Sequence, residues 1–483
     1  MMKSDRLTLG LLIGFVNLLG WSEGAIAQVG LVEDTAAGRA VGTTVVRDVV
    51  PNLDAILGGT QAGRNLFHSF QEFNIGEGRS AYFFLQDTAI QNVFARVTGS
   101  NRSEILGTLG VRNFINGNIS NSNSNLYLMN PNGILFGPNA RLDVGASFVG
   151  TTANAIEFGD RGSFSATNPT NASPLLTINP SAHLFNQVPI GNIVNRSVVF
   201  SGNFKTGLRV PNGQSLTLMG GDVSLEGGWL SAWDGRVEIG AVAGTAKIGI
   251  NPSNSLIFPE GTPRADVSLT NNAAVDVGLN RGGDINIHGN NITISSSDLA
   301  AGRQTSLGSE GSQAGNVILN ATGNIQLSAS QIANSTFGTG NAGNIILQAN
   351  GAVRLSNSSG ILSNVNAGAV GNGGDITINA ESLSINRSVI QSITRGRFQG
   401  FPAGKGNSGD ININLRGDLI TTGSNTPSIV EGITTSIDNG ASGLAGDIKI
   451  AARDILMGNQ TQIRSTLDAL AVGAPGNIRH YRK

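Results

Sequence analysis

Gly374-Asp375-Ile376-Thr377-Ile378 and Gly409-Asp410-Ile411-Asn412-Ile413 are two copies of one short pattern, Gly-(Asp/Asn)-(Ile/Val)-x-(Ile/Leu). Further copies start at Gly283, Gly315, Gly343 and Gly446, and another begins at Gly476. Successive starts lie 32, 28, 31, 35, 37 and 30 residues apart. A unit that keeps its strand while its length varies is a stack of coils with corner loops of different size. The pattern therefore predicts an all-β solenoid, a rod that presents surface.

Ile285-Asn286-Ile287, Ile376-Thr377-Ile378, Ile411-Asn412-Ile413 and Ile448-Lys449-Ile450 alternate apolar and polar, the period of a strand with one buried face. Lys449 is expected to point outward, since a lysine in a narrow apolar core has no partner. The repeat glycine is expected to permit a turn with positive φ, and the following Asp or Asn to bond the turn backbone. After Gly343 the strands Asn344–Leu347, Ala352–Leu355 and Gly360–Leu362 follow one another, then a polar loop. Three short strands and a loop per ~30 residues suit one turn of a parallel β-helix. No run has the spacing of a long amphipathic helix, which argues against βαβ units.

Composition supports a folded rod. The 483 residues include 67 Gly and no Cys, with 13% charged, 5% aromatic and net charge −1. High Gly, Asn and Ser could signal disorder, but Ile, Val and Leu stay in phase with the glycines. Near-zero charge gives no reason to expect nucleic acid.

The N-terminus reads as a targeting segment. Lys3 and Arg6 precede the apolar run Leu7–Leu19, and Ala25-Ile26-Ala27 is a small-x-small cleavage site, so cleavage is expected between Ala27 and Gln28. An uncleaved anchor is the other reading, though the run is short for a span. No later stretch could cross a bilayer as a helix. An exported chain without cysteine locks no loops by disulfides before crossing a second membrane.

Residues 61–160 are richer in Phe and contain firm turns. Asn125–Met129 reads as a strand, and Asn130-Pro131-Asn132-Gly133 carries the type I turn preferences. Ile134-Leu135-Phe136, Leu142–Val144 and Ser147–Thr151 are the next strands. The run Leu126–Gly137 and the following Ala146–Thr152 resemble the filamentous haemagglutinin N-terminal domain, the secretion domain of two-partner secretion (TpsA-type) exoproteins. Asn65–Asn74, Val97-Thr98-Gly99-Ser100 and Ile105-Leu106-Gly107 fit the same family. Gly220–Gly228 and Gly235–Gly240 resemble the extension of its larger members. Where the family often has a second Asn-Pro motif upstream, this chain has Asn101-Arg102-Ser103-Glu104, without the proline.

The resemblance implies a right-handed parallel β-helix whose N-terminal secretion domain shares that architecture. It also implies Sec-dependent passage to the periplasm and recognition there by an outer-membrane TpsB/Omp85-type transporter with POTRA domains. The chain would cross unfolded and fold outside as an adhesin or surface rod. Extended strands could add to a partner's sheet edge. Asn130, Pro131, Asn132 and Gly133 would carry recognition or folding, with the 101–104 loop beside them in role. The bland alternative is a turn that merely nucleates the first coils. The expected organisation is a signal peptide at 1–27, the secretion domain at 28–160, a β-helix extension at 161–270 and the repeat β-helix at 271–483. An autotransporter's own barrel, with aromatic girdles, does not suit three Trp and three Tyr. The copy at Gly476-Asn477-Ile478 breaks off into Arg479–Lys483, which reads as an interrupted frame or a weakly capped rod.

Enzymatic chemistry is hard to find. His68, His183, His288 and His480 are scattered without metal-ligand spacing, and no Gly-x-Ser-x-Gly elbow occurs. Gly338–Gly343 and Gly404–Gly409 match Gly-x-Gly-x-x-Gly but lead into strands, where nucleotide binding needs a helix. Asp375, Asp410 and Asp447 hold equivalent places in successive repeats, so their carboxylates would stack about 4.8 Å apart. They could share a cation or serve an exported polysaccharide lyase or hydrolase, the competing function. Their interchange with Asn316, Asn344 and Asn477 favours solvated turn residues. No cofactor or metal is expected. Beyond the transporter, a host or cell-surface glycan or protein is the partner class that suits a rod.

Overall fold

The computed structural model describes residues 30–36, 38–302, 311–424 and 431–482; the expected cleavage at Ala27 and Gln28 lies outside them. Among the described residues there is no α-helix, and three long parallel sheets form the sides of a β-helix. Each repeat contributes one strand to each side. Ile345–Ala349 enters the first sheet, Ala352–Ser356 the second and Gly360–Leu362 the third. Each strand pairs in register with its counterparts in the coils below and above.

Alternation within the strands produces the core. Val237, Ile285, Val317, Ile345, Ile376, Ile411 and Ile448 stack in one column of the first sheet, all fully buried. Ile239, Ile287, Leu319, Leu347, Ile378, Ile413 and Ile450 form the second column. Lys449, between two such positions, lies outside and approaches Asp410 at 3.2 Å.

The repeat glycines have a different role from the one their sequence context suggests. None of Gly283, Gly315, Gly343, Gly374, Gly409, Gly446 and Gly476 lies in the left-handed region. They stack on one another instead. A Cβ on Gly343 would sit 1.7 Å from the Gly315 carbonyl oxygen, one on Gly409 2.1 Å from that of Gly374, and one on Gly446 2.1 Å from that of Gly409. The column is glycine because the backbone corners of neighbouring coils touch there.

The Asp or Asn after each glycine bonds the next coil rather than its own turn. Asp284 Oδ1 accepts from Asn316 N–H at 2.8 Å, Asn316 Oδ1 from Asn344 at 2.9 Å and Asn344 Oδ1 from Asp375 at 2.9 Å. The ladder continues through Asp410, Asp447 and Asn477, each at 2.8 Å. Only an oxygen carried on Cγ is needed, which is why Asp and Asn interchange. Asp375→Asn is expected to leave stability unchanged, whereas Asp375→Ala should cost about 1 kcal/mol. Hydrogen exchange at the Asp410 amide is the check.

A second column runs along the next corner. Asn192 Oδ1 accepts from Asp222 N–H, Asp222 from Asp266, Asp266 from Asn291, and Asn291 from Asn324.

The N-terminal coils carry an addition outside the β-helix. Ala155–Glu157, Ser163–Ser165, Ala182–Phe185, Ala246–Ile250 and Leu256–Ile257 form an antiparallel sheet. Between 161 and 270 the chain thus alternates between coil strands, such as Ser215–Gly220 and Arg236–Ala241, and this outer sheet. It covers a face of the first sheet that is apolar outward as well as inward. Phe67, Phe94 and Tyr127 stack up that face, with ring centroids 5.1 and 4.5 Å apart, and Phe158 and Phe164 pack against them. The first coil's edge is closed by Leu31–Glu33, antiparallel to Asn65–Phe73.

Candidate functional site

Asn130-Pro131-Asn132-Gly133 forms the corner between Asn125–Met129 in the first sheet and Ile134–Phe136 in the second. Gly133 N–H closes the turn on the Asn130 carbonyl at 3.1 Å. Asn130 is fully buried and uses both ends of its amide. Its Nδ2 donates to the Asn101 carbonyl and to Ser103 Oγ, each at 3.0 Å, and its Oδ1 accepts from Asn132 N–H at 3.0 Å. Asn132 is exposed, and its Nδ2 reaches the Gly99 carbonyl at 2.8 Å.

The structure therefore brings the two sequence-flagged motifs together. Ser103, Glu104 and Ile105 pair in register with Ile134, Leu135 and Phe136 of the coil above. The 101–104 loop is the floor on which the Asn130 corner rests. It stays polar outward: Arg102 pairs with Glu104 at 2.7 Å, and Asn101 Nδ2 donates to Glu72 at 2.8 Å. Asn101 thus supplies its carbonyl to the corner without a following proline. On the upper side, Gly191 N–H donates to the Pro131 carbonyl at 3.1 Å, and a Cβ on Gly191 would lie 2.4 Å from that oxygen. Ala27 and Gln28 lie outside the described residues.

Beside this corner a cleft of about 290 Å³ opens between the coils and the outer sheet. Thr98, Gly99, Pro131 and Asn132 line one wall, and Thr167, Pro169, Gln187 and Pro189 the other.

Arg96 sits below this cleft and was not singled out by any motif. It is fully buried, with Nε donating to Ser69 Oγ at 2.9 Å and Nη1 to the Ser165 carbonyl at 2.8 Å. Nη2 reaches the carbonyls of Arg39 at 3.0 Å and Thr170 at 2.8 Å, and the guanidinium lies 4.4 Å over the Phe164 ring. Burial lowers its pKa to about 10, against the pull of nearby Asp34. It stays charged at neutral pH and ties three segments to one coil. A signal for it exists: Val93-Phe94-Ala95-Arg96-Val97 lacks alternation, so its outward face is also covered.

Other candidates resolve structurally. The Oδ1 atoms of Asp375, Asp410 and Asp447 each accept a backbone N–H from the next coil. Among the described residues no group of three or more His, Asp or Glu is placed to hold a metal. Burial lowers the pKa of His68 to about 3 and those of His183 and His288 to about 4, so all three are neutral packing groups at pH 7. Gly338–Gly343 and Gly404–Gly409 are coil corners leading into strands Ile345–Ala349 and Ile411–Leu415.

Residues 36–287 match the family model described as the TPS secretion domain. The chain belongs to the TPS secretion domain family. It is accordingly a two-partner-secretion exoprotein, secreted with a cognate outer-membrane transporter as its partner. The TPS secretion domain match contains the Asn130 corner, the 101–104 loop, Arg96 and the outer sheet. Among solved structures, the HMW1 secretion domain from Haemophilus influenzae is similar, with a TM-score of 0.53 at 17% identity, covering 92% of this chain and 100% of that one. At that identity the likeness shows the fold, a β-helix. No curated protein matches the chain. No helix among the described residues is long and apolar enough to cross a membrane.

Proposed function

We propose that the chain is a non-enzymatic surface rod or adhesin, delivered to the periplasm by a cleaved signal peptide. An Omp85-type transporter with POTRA domains would then recognise it through the corner at Asn130–Gly133 and Asn101–Glu104. In this reading 28–160 directs export, 161–270 extends the same β-helix and 271–483 is the exported shaft. The observation that carries it is the TPS secretion domain match over residues 36–287. The stacking of both motifs into one corner supports a shared role. In the competing lyase or hydrolase reading the repeat aspartates would act on polysaccharide; their Oδ1 atoms serve the backbone ladder, which supports reading them as corner residues.

The two asparagines separate recognition from folding. Asn132→Ala removes the exposed bond to the Gly99 carbonyl and a second from Nδ2 to Asn130 Oδ1 at 3.0 Å, but leaves the Asn132 N–H on that oxygen, so it should cost about 1 kcal/mol, little for so long a chain. It is expected to lower extracellular yield at least tenfold while the melting temperature and signal cleavage stay unchanged. Asn130→Ala is expected to lower both yield and melting temperature. Wild-type yield from Asn132→Ala would reduce the corner to a structural turn. Equal secretion from cells lacking the transporter would overturn the export assignment.

A further inference from the structure

The corner loops that follow the third sheet hold a feature that export does not explain. Five successive coils contribute to one cleft of about 990 Å³ on the flank of the shaft, from Phe337 at one end through Asn366, Arg397 and Asp438 to Asp468 at the other. The largest contribution is the 395–404 loop, part of the 35-residue repeat that starts at Gly374. It folds back as a tight turn. Phe398 and Phe401 exchange backbone hydrogen bonds at 3.3 and 2.9 Å, and Gln399 and Gly400 have positive φ, 47° and 84°.

That turn sets two phenyl rings on the surface, with a third at Phe337. They are 62%, 59% and 51% exposed in the order Phe398, Phe401, Phe337. Among the described residues none of the three stacks on another ring or beneath a cation. Phe401 is nonetheless held in place, since a Cβ on Gly368 would meet its ring at 3.2 Å. Exposed rings on a braced turn have a cost in water and no intramolecular partner that relieves it.

The polar groups around the rings keep capacity to bond a ligand: Asp438 Oδ1 accepts from Ser436 Oγ at 2.9 Å, Asn439 Oδ1 from Leu470 N–H at 3.0 Å, and Asn366 Nδ2 donates to the Thr336 carbonyl at 3.2 Å, each using only part of its side chain. Arg395 and Arg397 make no ion pair among the described residues, and neither do Asp438 and Asp468. Two cations and two anions sum to zero, so the cleft suits an uncharged ligand rather than a polyanion. Guanidinium, carboxylate and amide groups are planar and bidentate, the shape that pairs with adjacent hydroxyls. The negative face of a phenyl ring attracts the polarised C–H face of a sugar ring.

The geometry of the coil supplies the length. Five loops at about 4.8 Å per coil span about 19 Å along the axis. An extended pyranose chain advances by about one ring per coil. We propose that this cleft binds a neutral glycan chain lying along the rod, with its sugar rings against Phe337, Phe398 and Phe401 and its hydroxyls on the Arg, Asp and Asn side chains. This names a ligand class for the shaft and rests on reading the shaft as a binding surface. It is independent of how the protein is exported.

The test uses the purified, secreted full chain, calorimetry and a panel of oligosaccharides. The panel holds β-linked gluco-, xylo-, galacto-, manno- and chito-oligosaccharides of two to six units, with oligogalacturonate and a neutral peptide as comparisons. At least one neutral series is expected to bind, with affinity rising up to about four sugars and then levelling off. The Phe398→Ala/Phe401→Ala double variant should weaken it at least tenfold. Both rings are exposed, so thermal unfolding should not move, and extracellular yield should stay at wild type. No binding by any neutral series at millimolar concentration would overturn the proposal. So would binding that survives the double substitution, or a preference for oligogalacturonate or the peptide. Loss of secretion by transporter deletion bears on export alone.

Discussion

Gly409→Ala is expected to open the shaft locally, although alanine is chemically the smallest change available. The backbone at Gly409 lies outside the left-handed region, so its conformation alone would accept a side chain. The obstacle is the coil below. A Cβ at this position would lie 2.1 Å from the Gly374 carbonyl oxygen and 2.5 Å from its carbon. Both are backbone atoms, so no rotamer change relieves the contact. The coils must separate, which strains the Asp375–Asp410 link at 2.8 Å and the first-sheet pairing of Ile376–Ala380 with Ile411–Leu415. Overpacking and weakened ladder bonds together should cost about 3 kcal/mol.

In a solenoid this cost falls on neighbouring coils rather than on the whole chain. Hydrogen exchange is therefore the measurement, because a global unfolding midpoint would dilute the effect. Amides of 376–380 and 411–415 should lose about a hundredfold in protection, while 65–73 stay as in wild type. Gly458→Ala is the matched control, since its Cβ would meet only the Thr421 carbonyl oxygen at 3.8 Å. Equal protection in both variants would show that the glycine column is not set by close approach.

Arg96→Ala is expected to release the outer sheet from the coils. The substitution removes the donor shared by the half-buried carbonyls of Arg39, Ser165 and Thr170, while the Ser69 hydroxyl keeps its bond to Asp34 Oδ2 at 3.3 Å. Hydrogen bonds from a charged donor contribute most where they are buried and less where water can replace them, so losing these four should cost about 3 kcal/mol. The β-helix core does not use Arg96 and should persist, so near-normal strand content by circular dichroism is expected. Limited proteolysis should cut between 160 and 180 at much lower protease concentration. Arg96→Lys keeps the charge but not the planar fork, and cannot reach four acceptors in three directions. It should therefore resemble the alanine variant more than wild type. A lysine variant as protease-resistant as the native protein would mean that charge alone holds the three segments.

Much of the fold was legible because the β-helix repeats a local signal. Ile376-Thr377-Ile378 declares a one-sided strand in three residues, and the recurring glycine declares that strands stack. The Asn130 corner was legible for the same reason, since turn chemistry resides in four adjacent residues. The cleft at Phe398 and Phe401 was not: its walls come from loops 28 or more residues apart that differ in sequence.

The residues alone thus determined a stack of coils behind a secretion domain, because strand period and turn type are set by neighbours along the chain. Tertiary structure decided why each glycine is glycine and why Asp and Asn trade places. The reason is that both answers lie in the next coil, where a carbonyl oxygen or an amide is 28 to 37 residues away. It also decided that the outward face of Phe67, Phe94 and Tyr127 is covered, through contacts as distant as Asn65 Nδ2 to the Leu176 carbonyl at 2.8 Å. No local pattern encodes such pairings; they appear only when the coils close on one another.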